Sequence, residues 1–163
     1  MDSTAAAQPL SPAANDTDSQ GPEPDVMPDA VRDAEAAVAA LADSFIEWIT
    51  EDIGRAKEAL ARAQDKPGDN QPELRAIFDV VHNVKGQGGS FGYDLLTKLG
   101  GSLCDYLREE AASADEKQLK VISAHFAAMD FVLEKNIQGS GDAIGDQLIG
   151  KVSQLVANIP APA

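Results

Sequence analysis

The 163-residue chain contains very little cysteine and few aromatic residues. Its single cysteine, Cys104, excludes an intramolecular disulfide and a cysteine-rich zinc site, and it favours a reducing compartment. Aromatic residues make up only 5% of the chain, although 44% of its residues are hydrophobic. A core of small and aliphatic side chains is typical of closely packed helices rather than of a β-sandwich. The composition therefore predicts an all-α protein.

Basic residues are also scarce. The chain has 13 of them against 27 acidic ones, which gives a formal net charge of −14 at pH 7. Nucleic-acid binders need patches of Lys and Arg, and anionic membrane surfaces also attract basic segments. The sequence lacks a signal-peptide pattern and any apolar stretch of the roughly 20 residues that a membrane span needs. We therefore expect a cytoplasmic protein that binds neither nucleic acid nor membrane.

The first 28 residues differ in composition from the rest of the chain. They hold five of the nine prolines and five acidic residues, and they have no Lys or Arg. Such a segment cannot bury enough apolar surface to offset the entropy lost on ordering. We predict a disordered acidic tail over residues 1–28, either a passive extension or a partner-binding arm, followed by a folded domain over residues 29–159.

The folded part shows apolar residues at three- and four-residue steps, the pattern of amphipathic helices. The first helix begins at Asp29 and reaches about residue 63, as one helix or as two with a bend near Asp43. Its apolar stripe includes Trp48, which we expect in the core. The later helices are predicted over residues 72–88, 92–112, 116–136 and 142–157. Short loops between them favour an antiparallel four-helix bundle with an additional N-terminal helical extension.

One segment, residues 81–92, carries the clearest functional signal. On a helix that turns about 100° per residue, Lys85, Gly86 and Gly89 lie within about 60° of His82. The apolar residues lie on the other side of the same helix: Ile77, Val80, Val81, Val84, Gly88 and Phe91. His82 is therefore predicted to point outward, with a cation one turn later and two positions without side chains beside it.

This arrangement suits nucleophilic chemistry. An exposed imidazole is largely neutral near neutral pH, so its free nitrogen can attack an electrophile without a separate base. If the electrophile is a phosphoryl group, Lys85 can contact the oxygens that result. Gly86 and Gly89 would let another protein approach the ring closely.

The turns before His82 offer a surface for such a partner. Phe78 and Leu74 are predicted to form an apolar docking patch, and Arg75 adds a flanking positive charge.

The motif His-x-x-Lys-Gly-x-Gly-x-x-Phe-Gly over residues 82–92 resembles the signature of histidine-containing phosphotransfer (Hpt) domains. The resemblance extends over about residues 41–133 and includes the order of the helices. It implies a four-helix bundle in which His82 is the phosphoacceptor and Lys85 stabilises the phosphorylated form. It also implies that Gly86 leaves room for a receiver domain.

The resemblance further implies the partners of the chain. A hybrid histidine kinase would supply the phosphoryl group through its receiver domain, and a response regulator would accept it. Any Mg²⁺ would belong to those receivers, so we expect no cofactor and no metal site in this chain. Because the sequence has no nucleotide-binding segment, we expect a monomeric relay protein without kinase activity from ATP.

Phosphoacceptor domains of chemotaxis kinases look similar, but their third helix usually places a His and a Glu near the reactive histidine. The matching positions here hold Gly101 and Cys104, which favours a plain relay module over a detached kinase domain. The pair Gly100–Gly101 indicates either close helix packing or a groove near His82. His125 has no partner motif and is interpreted as structural or surface-exposed. The alternatives are a helical adaptor that is never phosphorylated and such a detached phosphoacceptor domain.

Overall fold

The computed structural model describes residues 27–163, with side chains from Pro28 onward. Over this range the chain is entirely helical and contains no β-strand, which confirms the all-α prediction. The helices are α1 (Met27–Gln64), α2 (Gln71–Gly88), α3 (Asp94–Leu107), α4 (Glu116–Glu134) and α5 (Asp142–Asn158), and a short 3₁₀ helix covers Gly89–Phe91. None of these helices combines the length and the apolar character that crossing a membrane requires.

The chain divides into two units at Ala36. The predicted tail, residues 1–28, lies outside the described residues except for its last two, which begin α1. In the first unit the described side chains, residues 28–36, are all exposed. The second unit, Ala37–Ala163, contains the core and the site described below.

The core of the second unit combines one face from each helix. On α1 the buried residues recur mostly at four- and three-residue steps, and they are Phe45, Ile49, Ile53, Ala56, Ala59, Leu60 and Ala63. The helix α2 packs along α3, and α4 contacts both α3 and α5. The expectation that Trp48 is buried is wrong, because Trp48 is 58% exposed. Trp48 is rotated by about 100° from Ile49, and this rotation places it beside the buried stripe rather than on it.

A buried asparagine joins three parts of the fold. The Asn70 side chain donates to the carbonyl oxygens of Ala63 (3.2 Å) and Ala114 (3.0 Å), and its Oδ1 accepts from the Ala114 amide at 2.8 Å. These bonds satisfy polar groups that would otherwise be buried without partners. Asn70 thereby ties the end of α1 and the start of α2 to the residues that precede α4.

Helix α3 ends earlier than its sequence predicts. We expect it to reach residue 112, but it ends at Leu107, and Arg108 has a φ of +52°. The connection that follows is held by tertiary bonds, including one from the Ala112 amide to the Ala163 carbonyl at 2.8 Å. Asp115 then caps α4, with a reciprocal pair of bonds to Gln118.

The turn between α4 and α5 braces the start of α3. The Gly139 amide donates to the Gly92 carbonyl at 2.6 Å, and the Gly139 carbonyl accepts from the Leu95 amide at 3.1 Å. Gly139 has a φ of +63° and Gly141 a φ of +71°, a region where glycine carries no steric penalty. This contact fixes the segment that follows α2, and with it the end of the helix that carries His82.

Candidate functional site

His82 lies in the middle of α2, and its side chain is exposed. The opposite face of the helix is fixed in the core, because Ile77, Val81 and Val84 are fully buried. The outward orientation that the helical wheel predicts for His82 is therefore the one observed. An exposed side chain on a helix with one buried face has a well-defined position with open access.

The imidazole ring stacks on an aromatic side chain from the preceding turn. The ring centroids of Phe78 and His82 are 6.0 Å apart, with an angle of 22° between the ring planes. Phe78 is half-buried and packs against the core, so it is a firm support rather than a free surface group. Stacking of this kind restricts the orientations of the imidazole.

A shallow cavity of about 390 Å³ opens beside the ring and is lined by Phe78, Asp79, His82, Asn83 and Glu109. Glu109 comes from the α3–α4 connection, and its Oε1 lies 3.6 Å from Nη2 of Arg75. Both of these side chains are exposed, so the pair contributes little to stability. The pair does matter for charge, because Arg75, two turns before His82, is already paired with a carboxylate.

Lys85 and Gly86 lie one turn after His82, and both are exposed. Lys85 forms no ion pair with the carboxylates of residues 28–163. A Cβ atom at Gly86 would have no neighbouring atom within 4 Å, so this position is bare. Gly89 is exposed as well, although a Cβ there would touch Oγ1 of Thr97 at 3.6 Å.

The prediction that Leu74 lies on a docking surface needs correction. Leu74 is only 2% exposed and belongs to the core. It precedes Ile77 by three residues, and Val81 follows Ile77 by four, so Leu74 continues the buried stripe of α2. Phe78 is therefore the aromatic surface beside His82, without an aliphatic neighbour at Leu74.

Glycines bring α2 and α3 close together. A Cβ at Gly88 would lie 2.8 Å from Oγ1 of Thr97, and a Cβ at Gly100 would lie 3.1 Å from the backbone nitrogen of Lys85. Both distances are shorter than ordinary van der Waals contacts. Of the two explanations for Gly100–Gly101, close helix packing holds at Gly100.

His125 is fully buried between α3 and α4 and takes no part in the exposed site. Its Nδ1 lies 2.8 Å from the Val121 carbonyl, which can only accept, so this nitrogen carries the proton. Nε2 then accepts from the Ser102 hydroxyl at 3.0 Å. Burial lowers the pKa of His125 and favours its neutral form. No sequence motif singles out Ser102 as its partner.

The lowered pKa of His125 predicts a pH-dependent stability. In the unfolded chain a histidine titrates near pH 6.5, above the folded pKa, so below about pH 6.5 the unfolded state binds more protons. Stability is then complete above about pH 6.5 and is lost as the pH falls toward the folded pKa, with a slope of at most about 1.4 kcal/mol per pH unit. Urea unfolding of the wild type and of His125→Gln between about pH 7.5 and 5.5 measures this difference. Equal pH dependence in the two proteins would contradict it.

Cys104 is 7% exposed, and burial raises the pKa of its thiol. Buried thiols with raised pKa values are poor nucleophiles. Within the described part of the chain, no group of three or more His, Cys, Asp or Glu side chains is arranged to hold a metal ion.

Comparison with known families agrees with this geometry. The family model of the Hpt domain matches residues 40–140, more than half of the chain, and the match includes all of α2 and α3. Searches of curated proteins and of solved structures gave no significant match. Hpt domains act in histidine phosphotransfer in two-component signalling and interact with receiver domains and histidine kinases. The matched region contains His82 and the helix that carries it, and the chain belongs to the Hpt domain family.

Proposed function

We propose that the chain is a phosphorelay intermediate in which His82 accepts a phosphoryl group from the aspartate of one receiver domain and passes it to another. The observation that carries this proposal is the exposed imidazole of His82, stacked on Phe78 and fixed on a helix whose other face is buried. A nucleophile held in this way loses little further entropy when its partner docks.

The proposed transfer needs one bond to form and one to break. The free ring nitrogen, which we expect to be Nε2, attacks the phosphorus atom of the receiver's aspartyl phosphate. The P–N bond forms as the P–O bond to the aspartate breaks, and the aspartate leaves as a carboxylate. The second transfer runs the same exchange in reverse, with the aspartate of the next receiver as nucleophile. Lys85 lies one turn away and would contact the phosphoryl oxygens.

The docking face proposed for the receivers surrounds His82. It contains Arg75, Phe78, Gly86 and Gly89, of which Gly86 leaves the most open space. The donor would be the receiver of a hybrid histidine kinase and the acceptor that of a response regulator. Mg²⁺ would be bound by those receivers, since phosphoryl transfer depends on charge neutralisation that this chain supplies only in part. We propose that the chain works as a monomer in the cytoplasm.

The architecture we propose for residues 29–159 is an antiparallel four-helix bundle with an additional N-terminal helical extension. Its support is that the helices from α2 onward are joined by short connections and share one core with the buried face of α1. Short connections favour antiparallel neighbours.

Transfer from a phosphorylated receiver tests the proposed function. Purified receiver domains are labelled on aspartate with radioactive acetyl phosphate, freed of the donor and mixed with the wild-type chain. We expect the label to appear on this chain in a form that is acid-labile and stable to base, within the peptide that contains α2. If no receiver of a broad panel transfers label, the relay proposal fails and the adaptor alternative is favoured.

Gly86→Glu is expected to slow transfer without unfolding the protein. The added Cβ meets no atom within 4 Å, and glutamate has a higher helix propensity than glycine, so we expect the fold to be retained. On the docking face, however, it adds bulk and negative charge against an acidic receiver pocket, and we expect at least a tenfold slower transfer, or about 1.4 kcal/mol in the barrier.

The matched control for this substitution is Gly150→Glu. It makes the same change at a position on α5 that also has no atom within 4 Å. Transfer rates measured under single-turnover conditions should fall only for Gly86→Glu. A normal rate for Gly86→Glu would mean that receivers dock elsewhere.

A further inference from the structure

Three residues of α3 contact a single residue of α2, Lys85. The Thr97 hydroxyl donates to the Lys85 carbonyl at 3.2 Å. A Cβ at Gly100 would lie 3.1 Å from the Lys85 nitrogen and 3.2 Å from its Cα. A Cβ at Gly101 would lie 3.8 Å from Lys85 Cε. Residues 97, 100 and 101 are spaced three and four apart and so share one face of α3.

The two glycines have different effects on Lys85. Gly100 lies against the backbone of Lys85 and allows the two helices to approach each other. Gly101 lies against the far end of the Lys85 side chain, where its missing Cβ leaves space for the lysine stem. The pair Gly100–Gly101 therefore combines a close helix contact at Gly100 with a groove at Gly101, and His82 does not line this groove.

The groove beside Gly101 has a volume of about 350 Å³, and its lining includes Lys85, Lys98, Ser102, Asp105 and Val152. The Lys85 stem lies along its wall. Burial raises the pKa of the neighbouring Cys104 thiol, and the positive charge of Lys85 offsets part of this rise. The end of the Lys85 stem therefore lies beside Gly101, on the side of α2 that faces α3.

We propose that the α3 face formed by Thr97, Gly100 and Gly101 positions Lys85, and that the groove at Gly101 competes with phosphorylated His82 for its ammonium. Thr97 and Gly100 contact the backbone of Lys85, and the space at Gly101 accommodates its side chain. The hydrogen bond between Ser102, the residue after Gly101, and His125 links this part of α3 to α4. This inference rests on the proposed function, because it concerns the stability of the phosphorylated histidine.

Filling the groove is expected to favour the phosphorylated protein. In Gly101→Leu the leucine side chain occupies the space along which the Lys85 stem lies. The ammonium can then no longer stay in the groove and is more available to the phosphoryl group. We expect the equilibrium of phosphoryl groups between a receiver and this chain to shift toward the chain by about threefold, since removing a competing state raises the population of the other. The measurement is the ratio of the two labelled proteins at equilibrium.

A double substitution separates this positioning role from a merely structural one. In a Lys85→Met background the stem is kept but the charge is absent, so Gly101→Leu should no longer shift the equilibrium. An equal shift with and without the lysine charge would overturn the proposal. So would an unchanged ratio for Gly101→Leu in a protein that is labelled normally on His82. If the wild type accepts no label at all, it is the proposed function that fails.

The two neighbouring glycines provide a second test that needs no phosphoryl transfer. Gly101→Ala makes only an ordinary contact with the lysine stem and improves helix propensity, so its melting temperature should rise. Gly100→Ala places a methyl group too close to the Lys85 backbone, so its melting temperature should fall. Changes of the same sign would contradict the different contacts assigned to the two positions.

Discussion

His82→Gln is expected to abolish acid-labile labelling completely, while His125→Gln retains a near wild-type rate of transfer. The chain has only two histidines, so these variants form a matched pair. Glutamine has no nucleophilic ring nitrogen, and at position 82 its side chain is exposed and disturbs no core contact. His125 is fully buried and hydrogen-bonded at both ring nitrogens, so it cannot reach a receiver.

Both variants must be folded under the conditions of the assay, which circular dichroism can establish. At position 125 glutamine can still donate to the Val121 carbonyl and accept from Ser102. Label that survives in His82→Gln, or that disappears only in His125→Gln, would remove His82 as the phosphoacceptor.

Gly145→Ala is expected to lower the free energy of unfolding by about 3 kcal/mol or more, at the upper end of overpacking effects. A methyl carbon at this position on α5 would lie 1.8 Å from the Ser140 carbonyl oxygen. The backbone around Ser140 must then shift, and the adjacent Gly139 makes the two hydrogen bonds that brace Gly92 and Leu95. We expect the melting temperature to fall by about 10 °C or more.

Gly150→Ala on the same helix is the control for this substitution. A Cβ there meets no atom within 4 Å, so the gain in helix propensity should raise stability by up to about 1 kcal/mol. Denaturant unfolding of the two variants and the wild type measures both changes. If Gly145→Ala is as stable as the wild type, the turn before α5 does not have the close contact described above.

Most of the helical architecture follows from the sequence, because amphipathic periodicity and local end signals agree with each other. The start of α4 is an example, since Asp115 and Gln118 form a capping box from residues three apart. The end of α3 did not follow in the same way. No breaker stands at Leu107, and the connection after it depends on bonds to Asn70 and Ala163, which are distant in sequence.

The orientation of His82 also follows from the sequence, since a helix fixes the direction of each side chain around its axis. The burial of positions at the edge of the apolar stripe is harder to predict, and the two wrong burial predictions concern such positions. Leu74 is predicted to lie on the docking surface but is buried, and Trp48 is predicted to lie in the core but is exposed. Helical angle alone separates such positions poorly, because the width of the buried face depends on which helices cover it.

Pairings between residues of different helices could not be predicted from the sequence. The pairing of Arg75 with Glu109 depends on the path of the α3–α4 connection. The contacts of α3 with Lys85 depend on the register of α2 against α3. Neither pairing has a local sequence signal. The glycines that permit the close approach of α2 and α3 can be recognised in the sequence, because glycine inside a helix lowers helix propensity and so needs an explanation.

The burial of Cys104 has a practical consequence for studying this protein. Because the only thiol of the chain is buried and its pKa is raised, maleimide or spin-label reagents will modify the folded wild type slowly. A second cysteine at an exposed position beside His82, such as Asn83→Cys, would then be the main site of fluorophore attachment. Receiver binding could be followed at that probe in real time, without first replacing the native cysteine and disturbing α3.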